Sequence, residues 1–187
     1  RQYISNIIGW NYRMTEMEAA LGRSQLKKVV SFDAIRKELF EYLLKHLDGM
    51  PGLQVPIIKP GFMHAYHIFG MIYNASITGV SRERLIEALQ AEGIPVGGGY
   101  RRPLYENPIF KDLKGYGDQG CPFRCGFYEG NIDYNDPQCP VAEALVSENA
   151  LWLYVVRPPA TIADMYDIVS GFKKVWSSMD KLRDSKE

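Results

Sequence analysis

The sequence predicts an α/β architecture, with one long helix preceding a small sheet packed with helices. Apolar residues recur at three- and four-residue spacing from Met17 to Leu47, the pattern of an amphipathic helix. Two stretches rich in aromatic and β-branched residues, His64 to Ala75 and Leu151 to Val156, read as buried strands. Helix starts at Ser81 and Thr161 fall between and after them, so strands and helices alternate.

In chain order, the first helix opens at Thr15. With Glu18 three residues on, it makes a capping box in which hydroxyl and carboxylate each satisfy a free backbone N–H. Asn11 and Arg13 stand just ahead of that start, where unpaired N–H groups and the positive end of the helix dipole favour an anion. The same two residues also suit a turn and a surface ion pair. The stripe Met17, Leu21, Leu26, Val29, Val30, Ile35, Leu39, Phe40, Leu43 and Leu47 predicts one helix, or two in line broken near Ser31 to Asp33. Gly49 and Pro51 stop it and set a boundary near residue 50.

After the His64–Ala75 strand, Ser81 caps a helix with Leu85, Ile86 and Leu89 on one face and Gly93 at its end. Ile94 to Tyr105 reads as a second extended segment interrupted by Gly97-Gly98-Gly99, which either bend the chain or admit close approach of a backbone or ligand. From Asn107 to Pro140 the chain is dense in Gly, Asp, Asn, Pro and Tyr without periodicity, predicting a long irregular loop with one helical turn. Val141 to Ser147 is a short helix and Leu151 to Val156 a strand. Thr161 and Asp164 then open a helix whose stripe is Met165, Ile168, Val169, Phe172, Val175, Trp176 and Met179.

Composition narrows the function. The chain has 187 residues, 46% hydrophobic and 24% charged, ordinary for a soluble globular protein. It balances 22 basic against 22 acidic residues, so no global field draws it to nucleic acid or to an anionic membrane. No apolar run reaches the roughly 18 residues of a membrane span. The first residue is Arg1 rather than Met, which predicts a start inside a longer protein. Three cysteines, Cys121, Cys125 and Cys139, are odd in number and too few for a disulfide framework, fitting a reducing, cytoplasmic setting. Structural zinc wants four soft ligands, so the cysteines read as small hydrophobes packed in a loop rather than a metal site. His64 and His67 fall on opposite faces of the proposed strand and cannot share an ion. Either offers a near-neutral acid or base, or a satisfied core side chain. Nucleophile elbow, P-loop and dinucleotide fingerprint are all absent.

The motif Gly9-Trp10-Asn11-Tyr12-Arg13-Met14-Thr15-Glu16-Met17-Glu18-Ala19-Ala20-Leu21-Gly22 resembles one from the DegT/StrS family of pyridoxal-phosphate-dependent aminotransferases. Further matches follow in the family's order. They are Ala65-Tyr66-His67-Ile68-Phe69, Glu92-Gly93-Ile94-Pro95, Tyr100-Arg101-Arg102-Pro103-Leu104-Tyr105 with Pro108, Cys139-Pro140-Val141-Ala142-Glu143, and Leu151-Trp152-Leu153. The resemblance implies the C-terminal part of a fold type I aminotransferase. Residues 1–48 would end the large domain and form the connecting helix, and 49–187 would form the small domain.

The family's Schiff-base lysine precedes the first motif, so the resemblance places it upstream of Arg1 and implies that this stretch alone is inactive and does not hold the cofactor alone. It further implies pyridoxal phosphate bound by the intact homodimer, with Asn11 reaching across to the neighbour's cofactor phosphate and Arg13 close by. Tyr100, His67 and Arg101 are the expected substrate contacts. The implied partners are a missing N-terminal large domain, a second subunit, an amino-acid donor (glutamate or glutamine) and a cyclic keto substrate. Two departures bear on substrate. Gly99 stands where many members have histidine, and Tyr105 replaces the histidine after the Pro-Leu pair. They depart from the pattern of the usual nucleotide-sugar substrate, and the cysteine-bearing insertion together with Cys139-Pro140-Val141-Ala142-Glu143 resembles the branch acting on cyclitol ketones such as scyllo-inosose, or the aminohydroxybenzoate synthases. Two other readings remain at this level: a non-catalytic dimerisation domain, and a metal-binding module on the three cysteines.

Overall fold

The structure, a computed structural model, describes residues 12–130, 133–135 and 139–184. Helix α1 (Glu16–Leu47) opens with the expected capping box: Thr15 Oγ1 accepts from Glu18 N–H at 3.3 Å, and Thr15 N–H donates to Glu18 Oε2 at 2.7 Å. That backbone N–H, reinforced by the Thr15 hydroxyl, holds the Glu18 carboxyl below its ordinary range, so the cap stays ionised. The helix is continuous, not broken at Ser31 to Asp33. Ser31 Oγ donates back to Lys28 O at 2.9 Å and Asp33 pairs with Arg36 at 2.7 Å. The polar residues that suggested a break are thus satisfied within the helix itself. Only its C-terminal half is buried, through Leu39, Phe40, Leu43 and Leu47. In the other half Met17, Leu21, Leu26 and Val30 are exposed.

Beyond α1 come β1 (Leu53–Gln54), β2 (Phe69–Tyr73), α2 (Ala75–Thr78), α3 (Arg82–Ala91) and β3 (Val96–Gly97). The predicted strand His64–Ala75 is shorter than its composition suggests. Its first residues turn instead: Tyr66 has φ 51° and its N–H donates to His64 Nδ1 at 2.8 Å. The rings of His64 and Tyr66 lie 4.6 and 5.2 Å from Phe40, so those aromatics serve the helix packing rather than a strand ladder. His64 and His67 therefore do not occupy opposite faces of a strand. At its other end Asn74 caps α2, accepting from Ser76 N–H at 3.0 Å. Ser81 caps α3 as expected, and Gly93 (φ 81°) leaves it in the left-handed conformation.

The second extended segment shrinks to β3. A 3₁₀ turn (Leu104–Glu106) and α4 (Pro108–Lys111) follow, then α5 (Pro140–Ala144), which runs into a π-helical turn (Leu145–Asn149), β4 (Ala150–Leu153), α6 (Ile162–Trp176) and α7 (Met179–Asp184). The terminal apolar stripe is thus divided between α6 and α7. Thr161 and Asp164 form the second capping box, and the Thr161 hydroxyl holds the Asp164 carboxyl below its ordinary range.

The four strands form one antiparallel sheet in the order β1-β2-β4-β3, with Phe69 opposite Leu153, Gly70 opposite Trp152, and Gly97 also opposite Trp152. One face buries Leu53, Phe69, Met71, Tyr73, Val96, Leu151 and Leu153. Against it pack α1, α3 and α6, contributing Leu43, Leu85, Leu89, Met165, Val169 and Phe172 to a single core. Each such side chain stabilises the fold by roughly 1.5–3 kcal/mol relative to leaving it in water.

At the core's edge, Tyr73 is fully buried, its hydroxyl donating to Val80 O at 2.8 Å and paired with Thr78 Oγ1. Since the phenol proton goes to the carbonyl, the threonine hydroxyl donates to the phenol oxygen. Burial holds the Tyr73 phenol above its ordinary pKa, keeping it a neutral donor. Tyr73→Phe is expected to destabilise the fold by about 1–3 kcal/mol, because it strands the Val80 carbonyl without a donor. Urea unfolding reads the shift, and a midpoint equal to wild type would contradict it.

Candidate functional site

The open face of the sheet carries what the core face does not use. In β4, Leu151 and Leu153 point into the core, so Trp152 points away from it, as strand alternation requires, and Tyr154, just past the strand, is exposed. Both in-register neighbours of Trp152 are glycines, Gly70 and Gly97, so no side chain flanks the indole across the ladder. Gly99 (φ +79°) lies against the ring: a Cβ there would stand 2.8 Å from Trp152 Cε2. The rings of Tyr100 and Tyr154 meet the indole edge-on at 5.1 and 6.1 Å.

Beside this aromatic shelf lies a cleft of about 380 Å³ lined by Arg82, Gly98, Gly99, Tyr100, Arg101 and Val146, with Ser147. Arg82 is largely buried and fixed: it donates to Val146 O at 2.9 Å and to Glu83 Oε1 at 2.7 Å. Burial raises the Glu83 carboxyl, but hydrogen bonds from Arg82 and its own backbone, with the Arg82 charge, outweigh it and leave it below its ordinary range. Tyr100 and Arg101 are exposed at the cleft mouth. These two expected substrate contacts are consecutive in sequence, and both line the cleft. His67 is exposed and not among the cleft residues. A larger cavity of about 630 Å³, between the end of α3 and the start of α6, contains none of the expected site residues. Its Glu92 is paired with Lys174 at 2.6 Å and its Asp164 serves the cap of α6.

The segment between β3 and β4 supplies every cleft residue but Arg82. Tyr105 donates to Glu143 Oε1 at 2.5 Å, joining its two ends, and that hydrogen bond raises the Tyr105 phenol well above its ordinary range. Phe110, Phe123 and Tyr134 make a triangle of rings 5.3 to 6.1 Å apart. Here the reading of the cysteines needs correction. Cys121 and Cys125 are joined by a disulfide, Cys125 being buried and Cys139 an exposed free thiol. Tyr116 and Cys121 exchange both backbone hydrogen bonds, at 2.6 and 2.9 Å, a closure that spacing alone does not reveal. Among the described residues no group of three or more His, Cys, Asp or Glu is arranged to hold a metal ion.

Asn11 lies outside the described residues. Arg13 is exposed two residues ahead of the α1 cap. A guanidinium ahead of a helix start is chemistry that suits an anion, and Arg13 already has an interaction partner in the structure.

A family model described as the DegT/DnrJ/EryC1/StrS aminotransferase family matches residues 1–133. The chain belongs to this family. It is 27% identical over 169 residues to an uncharacterized protein of Methanocaldococcus jannaschii, covering 90% of this chain and 38% of that one. It is 24% identical over 187 residues to a Micromonospora echinospora protein provisionally named an L-glutamine:3-amino-2,3-dideoxy-scyllo-inosose aminotransferase, covering 98% and 44%. Among solved structures it is similar to the aminotransferase from Psychrobacter cryohalolentis, with a TM-score of 0.72 at 22% identity over 96% of this chain and 43% of that one. The fold is therefore that of fold type I aminotransferases. The chain spans about two-fifths of the length of these relatives. Among the described residues no helix is long and apolar enough to cross a membrane.

Proposed function

We propose that this chain is the C-terminal portion of a pyridoxal-phosphate-dependent aminotransferase that moves an amino group from glutamine or glutamate to a cyclic keto substrate. Residues 1–48 end its large domain and form the connecting helix, and 49–187 form its small domain. Family membership supports the reaction class. The observation that supports the substrate side is that the consecutive residues Tyr100 and Arg101 are both exposed and both line one cleft, beside an aromatic shelf. The exposed apolar stripe of α1, with Met17 84% and Val30 80% exposed, supports a large domain and a second subunit as its cover, since such stripes mark interfaces.

In this reading the cofactor, when bound, supplies the electron sink that amino transfer needs. Arg13 neutralises its phosphate, with Asn11 as a hydrogen-bond donor across the subunit boundary. Tyr100 and Arg101 orient the incoming ring by hydrogen bonds at the cleft mouth, and His67 is the further substrate contact. The covalent lysine comes from the large domain.

The test uses the full-length protein with pyridoxal phosphate, glutamine labelled with ¹⁵N at the α-amino group, and scyllo-inosose. Mass spectrometry is expected to find the label in an aminated ring. Label retained wholly in the amino acid, with glutamate as well as glutamine, would sink the reading in favour of a non-catalytic dimerisation domain. In the same protein Asn11→Ala and Arg13→Ala are expected to weaken cofactor retention without unfolding it, each removing a charge-assisted or polar contact of about 1–3 kcal/mol. A dialysis titration with wild-type affinity would count against both roles.

A further inference from the structure

We propose that the cavity of about 630 Å³ between the end of α3 and the start of α6 binds a free amino acid with an apolar side chain, held as a zwitterion between Arg157 and Asp167. The inference goes beyond the amino-transfer reading and does not depend on it, since the cavity shares no residue with the cleft that carries Tyr100 and Arg101. Its volume falls within the roughly 300–1,000 Å³ of small-molecule pockets, which are mostly apolar with a few polar groups that fix orientation. Here Ile94, Pro95, Val155, Pro159, Met165 and Ile168 supply the apolar wall. Much of it is preformed. Ile94, Met165 and Ile168 belong to the buried core, and the proline rings fix their own backbone φ.

The charges narrow the ligand further. Glu92, Arg157, Asp164 and Asp167 are the charged side chains that line the cavity. Glu92 is neutralised by Lys174 Nζ at 2.6 Å, and Asp164 accepts from the Thr161 N–H and hydroxyl at the α6 cap. Among the described residues, neither Arg157 nor Asp167 makes a side-chain hydrogen bond or an ion pair, with the other or with any third group. One cation and one anion therefore border the same apolar space and are available to a ligand. No group of three or more metal-ligating side chains stands there among the described residues. A carboxylic acid or an amine alone would leave one of the two charges without a partner. A molecule carrying both groups answers both: its carboxylate takes the planar fork of Arg157, and its ammonium donates to Asp167. Asp164 lies three residues before Asp167 on α6, where helical side chains are neighbours, so the ammonium meets the field of two carboxylates.

The test titrates the full-length protein with L-leucine and with three probes that each lack one part of it. Glycine lacks the apolar side chain, isocaproate the ammonium, and isoamylamine the carboxylate. Calorimetry is expected to show leucine binding, with each probe weaker by roughly tenfold or more, the size of effect that losing a charged hydrogen bond or a buried aliphatic chain produces. Arg157→Gln and Asp167→Asn, both at exposed positions, are expected to weaken leucine by a similar factor while keeping the wild-type urea midpoint. Leucine affinity unchanged in both variants would put the ligand elsewhere on the protein and overturn the proposal. So would isocaproate or isoamylamine binding as tightly as leucine, glycine doing the same, or no leucine binding to wild type at all.

Discussion

Phe172→Ala is expected to destabilise the chain by about 3–5 kcal/mol, the range for truncating a fully buried aromatic. Phe172 has no exposed surface and lies in the middle of the α6 stripe, between Val169 and Val175, on a helix that packs against α1 and α3. Its ring stacks on Trp176 with centroids 5.7 Å apart at 20°. Trp176 in turn donates to Pro51 O at 3.0 Å and stands edge-on to Tyr73 at 6.3 Å. The cavity left by alanine is therefore walled by side chains fixed from other directions, which limits collapse and puts the cost near the top of the range. Since domains are stable by only about 5–15 kcal/mol, the variant should unfold at a much lower urea midpoint with an unchanged slope. Tyr166, 60% exposed on the same helix, is the control: Tyr166→Ala should shift stability by no more than about 0.5 kcal/mol. Comparable shifts in the two variants would mean that α6 does not bury the face assigned to it.

What could be read from the sequence separates along the distance over which each feature is determined. The caps at Thr15, Ser81 and Thr161 were legible because a cap is settled within four residues, and all three carry the expected hydrogen bonds. The continuity of α1 was not, because Ser31 and Asp33 have partners that only the helical geometry supplies. The strand at His64–Ala75 was drawn too long because aromatic content reports burial, not pairing: His64 and Tyr66 are consumed by Phe40, a helix residue distant in sequence. Similarly, the cysteine count spoke for free thiols, whereas the chain reversal between Tyr116 and Cys121 accompanies a Cys121–Cys125 bridge. In the candidate site Tyr100 and Arg101 were named from resemblance, and their shared cleft follows from β3 ending at Gly97. Trp152 went unremarked as a site residue. Its signal was present in the alternation Leu151-Trp152-Leu153-Tyr154, but its meaning depends on a register that sets two glycines beside it.

Gly99→Ala is expected to cost about 2–5 kcal/mol, a large effect for one methyl group. Two terms add. The backbone at Gly99 has φ +79°, a left-handed conformation that penalises a Cβ by about 1–2 kcal/mol. The new methyl would also stand 2.8 Å from Trp152 Cε2 and 3.0 Å from Cδ2, inside any normal contact, and overpacking of that kind costs about 1–3 kcal/mol. The indole has little room to retreat, with Tyr100 and Tyr154 edge-on to it and Gly70 close to its pyrrole edge. The two terms are separable by a double-mutant cycle. In a Trp152→Ala background the steric term disappears while the dihedral term remains, so Gly99→Ala should then cost only about 1–2 kcal/mol. The difference, a coupling of about 1–3 kcal/mol read from urea midpoints, measures how firmly residue 99 and the indole compete for one space. Additivity within about 0.5 kcal/mol would show that Gly99 serves only the turn, and the link between the histidine-to-glycine departure and the half-buried tryptophan would be lost. A clear coupling instead makes Gly99 the backbone requirement for an indole on the open sheet face.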